Sequence, residues 1–189
     1  RQGVTNPQLG SRRFSYKASR AYHGADEIDD GTFLRTFFQA LNKFGFCPES
    51  AWPYTVGVND RPTMAAFRAA FDQRSTPEYH KIYEEGNDRV LAIKRAIAGG
   101  FGVGFGTDIG QSFFGWKAGD KPMGPPLAEL IAGGHATGLV GYDGDTFLDV
   151  NSWSADWGDG GYCLLSADYI KWNKSRDFWI VKHVPTYSS

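Results

Sequence analysis

The chain has 189 residues, 41% of them hydrophobic, which is enough for one larger domain or two small lobes with cores of their own. Its formal net charge of −1 gives no electrostatic basis for binding nucleic acid or an anionic membrane, and no apolar run approaches the length that spans a bilayer. Two cysteines exclude a disulfide framework; the spacing leaves a single Cys47–Cys163 bridge open, and two free thiols are expected.

Residues 1–13 (RQGVTNPQLGSRR) are polar and carry Gly, Asn and Pro, so they read as the end of an element followed by a loop. Phe14–Tyr22 (FSYKASRAY) is aromatic-rich and suits either a helix or an extended segment. The acidic stretch Asp26–Asp30 leads into the clearest helical pattern, Thr32–Lys43. There Phe33, Phe37 and Leu41 recur every four residues with Leu34 and Phe38 beside them, which predicts one broad core-facing side. Gly45 is the expected stop. Gly45–Thr55 (GFCPESAWPYT) is a rigid connection, because Cys47 and Trp52 each precede a proline. A cysteine before proline cannot open a helix whose dipole would lower its pKa, so Cys47 reads as structural.

Thr63–Arg74 predicts a second helix with Met64, Phe67 and Phe71 on its buried side. Tyr79–Tyr83 predicts a short strand, with His80 exposed or lightly packed. Asn87 is the expected cap of a helix over 88–98 that buries Val90, Ile93 and Ile97 and stops at Gly99-Gly100. Phe101–Thr107 (FGVGFGT) alternates apolar residues with glycine. It follows a helix and lacks the phosphate-loop endings, so a strand is expected, not a nucleotide site. Asp108–Leu127 reads as one long Gly/Pro-rich loop, and loops of that length are often functional.

From Gly133 to Tyr162 the sequence runs GGHATGLVGYDGDTFLDVNSWSADWGDGGY. Two apolar runs, Ala136–Gly141 and Phe147–Val150, flank the turn signal Tyr142-Asp143-Gly144 and predict a hairpin. With a three-residue loop over 142–144 ending in a left-handed Gly144, residues whose numbers sum to 286 face each other, and His135 meets Asn151. A two-residue turn at Asp143-Gly144 would shift the register by one and send the two side chains to opposite faces. In the favourable register their Cβ atoms stand about 4.5–5.5 Å apart. The Asn amide then fixes one ring nitrogen and leaves the other for proton transfer, which is two thirds of a Cys-His-Asn catalytic set.

GGHA, VGYDGD, NSW and WGDGGY in that order resemble the His–Asn half of a papain-like cysteine peptidase. The resemblance covers about Phe14 to Val184 and extends to FSYKASRAY and GFCPESAWPYT, which are similar to segments of the bacterial and phage branch of that family. It implies an α+β fold of two lobes, with residues 1–80 as the remainder of a helical lobe and 81–189 as an antiparallel β lobe carrying His135 and Asn151. It also implies His135 as catalytic base, Asn151 as its orienter, Trp153 as the indole shielding their hydrogen bond, and Ala136 as a lining residue of the main specificity pocket. Phe113, Phe114, Trp116 and Met123 are implied as walls beside the cleft. The substrate implied is a peptide or protein, with no cofactor and no metal. Ser154 departs from the family, which usually has Gly after NSW.

The family carries its cysteine roughly 130–150 residues before the His. Residues 1–5 hold no cysteine, Cys47 lies only 88 residues before His135, and Cys163 follows it. The expectation is therefore that the nucleophile-bearing segment is absent from this sequence, with RQG the tail of its helix. The oxyanion-hole Gln of the family is missing too, since no Cys follows Gln2. Two readings follow: most of a cysteine endopeptidase, or a papain-like binding or assembly module without activity. The four histidines show no metal-ligand spacing, and His183 is expected on an edge strand.

Overall fold

Ser11 opens the first helix: its hydroxyl accepts from Phe14 N at 3.0 Å while donating to the carbonyl of Trp52. The structure is a computed structural model that describes residues 10–25, 29–74 and 78–182. Within them the chain divides into two units, one reaching Tyr79 and the other running from His80 to Lys182. Residues 26–28 and 75–77, the segment before Gly10 and the chain from His183, with the edge strand expected there, lie outside the described residues.

The first unit holds helices α1 (Arg12–Tyr22), α2 (Leu34–Phe44) and α3 (Met64–Asp72). Phe14 and Ala18 of α1 pack with Cys47, Trp52, Ala66 and Ala70. The expected apolar faces need correction. α2 starts two residues late, so Phe33 is an extended cap residue left 76% exposed, and Thr36, Phe38 and Ala40 are the buried positions. In α3, Met64 is 83% exposed and Phe71 is also exposed, while Ala66 and Ala70 are fully buried. The cause is close approach: a Cβ on Gly45, which ends α2, would sit 2.0 Å from Ala70 O. Backbone that near leaves room for alanine, and the larger side chains point outward.

The second unit is a sheet of strands β1 (Tyr79–Lys81), β2 (Gly102–Gly110), β3 (Ile131–Asp143), β4 (Thr146–Val150), β5 (Tyr162–Ser166) and β6 (Arg176–Val181), in spatial order β1-β6-β2-β3-β4-β5. The β6–β2–β3–β4–β5 pairings are antiparallel. His80 is exposed, as expected. Helix α4 (Gly86–Ala98) starts from Glu85, with Asn87 inside its first turn instead of capping it, and buries Val90, Ile93 and Ala96. Alternation in β2 buries Val103, Phe105, Thr107 and Ile109 on one side, as a two-residue period requires. Phe105 stacks on Phe178 of β6 at 4.9 Å.

The region expected as one long loop is not all loop. Its first three residues finish β2, and Gln111–Gly115 forms the short helix α5. Glu129 folds back and accepts from Ser112 N at 2.8 Å, so close to Gly110 that a Cβ there would lie 2.6 Å from its carboxylate. A second short helix, α6 (Ala167–Lys171), follows β5.

Candidate active site

β3 and β4 form the expected hairpin, but its register differs from the one anticipated. Asp143 pairs with Thr146, so the loop is the two residues Gly144-Asp145, not the three residues 142–144. Gly144 does take positive φ, at 50°, in the first central position. Carried down the ladder unchanged, that tip register would put His135 and Asn151 on opposite faces. It is not carried down unchanged. Leu139 pairs with Asp149 and Gly141 with Leu148, which leaves Val140 as an extra residue in β3. This bulge restores the parity, and His135 and Asn151 end on one face as diagonal neighbours.

His135 Nε2 lies 2.9 Å from Asn151 Oδ1. The amide orientation is fixed independently, because Oδ1 also accepts from Ser152 N at 2.7 Å and an N–H only donates. Nε2 therefore carries the proton and donates. Asn151 is anchored through its own N–H, which donates to Gly161 O at 2.9 Å. Nδ1 makes no hydrogen bond among the described residues. A neutral ring held by one nitrogen with the other open can take a proton.

Aromatic rings enclose the pair. Trp153 lies with its ring centre 4.7 Å from that of His135, and Phe113 of α5 approaches the same ring edge-on at 5.5 Å. Trp157 stacks on Phe113 at 5.2 Å, and Phe114 on Trp153 at 5.1 Å. Burial pushes the His135 pKa below its ordinary value, and the Asn151 bond pulls weakly the other way. Of the four residues expected to wall a pocket, Phe113, Trp116 and Met123 are buried in the core and only Phe114 is exposed. Trp157, inside WGDGGY, is a contact that sequence reasoning missed. Ala136 is exposed, paired with Gly106 across the β2–β3 ladder and pointing to the face opposite His135.

Both thiols are free and fully buried. Burial raises Cys47 to about 11 and drives Cys163 higher still. Neither is a thiolate near neutrality. No cluster of His, Cys, Asp and Glu among the described residues has the makings of a metal site, and no helix among them is long and apolar enough to cross a membrane.

The family profile of papain family cysteine proteases matches residues 24–178. The chain belongs to the papain family. An uncharacterized peptidase C1-like protein of Acanthamoeba polyphaga mimivirus is 31% identical over 97% of this chain, which spans 62% of that relative's length. A cathepsin B-like protein of Giardia intestinalis is 28% identical over 72% of the chain and 47% of its own length. Among solved structures, xylellain, a cysteine protease from Xylella fastidiosa, superimposes with a TM-score of 0.79 at 27% identity, over 94% of this chain and 71% of that one. The papain-like α+β fold is thus shown. The relatives come from a giant virus, a protist and a bacterium, so they do not single out a bacterial or phage branch.

Proposed function

We propose that this papain-family chain supplies the base half of a cysteine peptidase acting on peptide or protein substrates. The observation carrying the reading is the His135–Asn151 hydrogen bond, donated from Nε2 with Nδ1 left open. Nδ1 takes the proton of a cysteine thiol, the thiolate attacks the scissile carbonyl carbon, and the imidazolium returns the proton to the leaving amine. Asn151 holds the ring in the tautomer this needs, and Trp153 keeps water from their bond. Exposed Ala136 borders the substrate and leaves that position roomy. The thiol comes from polypeptide beyond these 189 residues, because burial holds Cys47 and Cys163 protonated.

The test is labelling of the full-length protein with a thiol-reactive peptidyl electrophile, followed by mass mapping. The expected result is one labelled cysteine outside this sequence, with labelling abolished by His135→Ala. Label confined to Cys47 or Cys163 overturns the reading. Absence of both label and peptide hydrolysis also overturns it, in favour of a binding or assembly module.

A further inference from the structure

Behind the His135–Asn151 pair, one step further along the same face of the hairpin, lies a second polar pair that the proposed chemistry does not use. Thr137 and Asp149 occupy the same diagonal relationship, two residues along each strand, and Asp149 is 0% exposed. The Thr137 hydroxyl oxygen lies 2.7 Å from Asp149 Oδ2 and also 2.7 Å from the carbonyl oxygen of Val150. Cys163 of β5 directs its Sγ at the same Oδ2, at 3.7 Å.

Counting protons decides the state of this group. A threonine hydroxyl has one hydrogen, and a carbonyl oxygen only accepts. Were Asp149 a carboxylate, both 2.7 Å contacts would compete for that single hydrogen, and one would be oxygen against oxygen with nothing between them. If Asp149 is a carboxylic acid, every contact has its proton. Cys163 S–H donates to Oδ2, the carboxyl O–H donates to Thr137 Oγ1, and the Thr137 O–H donates to Val150 O. Two further observations agree. Asp149 Oδ1 is buried with no hydrogen-bond partner, a poor place for shared negative charge. The groups acting on Asp149 are Thr137 from β3 and Cys163 from β5, with Tyr169 of α6 also within its field, and no ammonium or guanidinium is among them.

We propose that Asp149 is a positioning residue that works as a neutral acid: with Thr137 it forms a proton chain ending on the Val150 carbonyl, and that chain sets where the next residue, Asn151, holds His135. The claim rests on the reading of His135 and Asn151 as base and orienter. The chain ties β4 to β3 through side chains at the end of the paired stretch, since the ladder's last rung is Gly138 with Val150. Asn151 and His135 lie just beyond it. The N–H of the same peptide, that of Asn151, donates to Gly161 O, so the chain from Thr137 holds its carbonyl end and Gly161 its N–H end.

The experiment uses the full-length protein labelled with carbon-13 at aspartate carboxyls and nitrogen-15 in histidine rings. At pH 6 one buried carboxyl resonance in the protonated range is expected, lost in Asp149→Asn; a carboxylate resonance for Asp149 at that pH overturns the proposal. Thr137→Val keeps the shape and removes the relay. It is expected to displace the His135 Nε2–H resonance and to lower kcat roughly tenfold with KM within about twofold, part of the loss that a 1 Å misplacement brings. Thr137→Ser restores both. The Asp149→Asn amide nitrogen, set where Oδ2 was, donates one hydrogen to Thr137 and directs the other at Cys163 Sγ, so its His135 resonance is expected to match the parent, and a displaced one counts against the neutral-acid role. An unmoved resonance in Thr137→Val also overturns the proposal. Because the carboxyl and ring signals are read without turnover, they decide the proton chain even if the protein proves not to hydrolyse peptides.

Discussion

His135 and Asn151 stand diagonally across the β3–β4 hairpin, and the extra residue Val140 is what fits their 16-position separation to a two-residue loop. Val140 is itself exposed. Its role is to add one residue to one strand. Deleting it should join Gly141–Leu148 directly to Leu139–Asp149 as an unbulged ladder, which keeps His135 and Asn151 on one face. The expected outcome is a folded sheet that retains the His135 Nε2–H resonance and peptide hydrolysis, and loss of that resonance would refute the register. Val140→Ala keeps the residue count and should retain both.

The His135 ring is less basic than a free imidazole because it is buried, and Asn151 offsets part of that loss. Asn151→Ala should therefore lower the ring pKa further below the usual value of about 6.5, while Asn151→Asp places a carboxylate beside the ring and should raise it. NMR titration of the ring separates the two. The same depression has a stability sign. The folded chain binds fewer protons here than the unfolded chain, so this group's contribution is present above about pH 6.5 and is lost as pH falls toward the folded pKa.

Ser154 follows NSW at φ 106°, a backbone angle that side chains rarely adopt. Its hydroxyl accepts from Asp156 N at 3.3 Å, which recovers only part of the strain. Ser154→Gly should raise stability by about 1 kcal/mol. A higher urea midpoint with unchanged slope is the measurement. The position calls for glycine because of its torsion, and small size alone does not meet the need.

Burial raises Asp149 from the ordinary carboxylate range to about 8, with its contacts to Thr137 and Cys163 opposing the rise. The folded chain keeps a proton that the unfolded chain releases above about pH 4, so folding takes up a proton between those values. This contribution is fully present below about pH 4 and is lost as pH rises through 8. Across that window the parent should lose stability relative to Asp149→Asn, by at most about 1.4 kcal/mol per pH unit. Paired thermal melts at several pH values test the slope, and parallel curves would refute it.

Much of the fold and the candidate site was legible because the motifs carry their own spacing. The His of GGHA and the Asn of NSW lie 16 residues apart around a turn signal, and that alone brought His135 and Asn151 together. The route was not legible. Gly144 reads equally well as the last residue of a three-residue loop or the first of a two-residue one, and bulged Val140 looks like any other strand valine. Two compensating errors of register gave the right partners. Helix faces misled for a different reason: Phe33, Met64 and Phe71 obey the period yet lie in solvent, since large apolar residues are common at surfaces. Nothing in FLDVN marks Asp149 as buried, because an acid in a strand is ordinarily a solvent-facing one.

The candidate base and its orienter lie in one hairpin, sixteen positions apart, with the turn between them. Closing so short a loop costs about 1 kcal/mol less entropy than the pairing of β2 with β6, from Gly106 with Arg176 to Gly102 with Val181. In the order of folding events, this contact can zip up locally before the distant strands arrive. During synthesis the imidazole and its orienter thus need no strand from far along the chain in order to meet, only the hairpin that joins them.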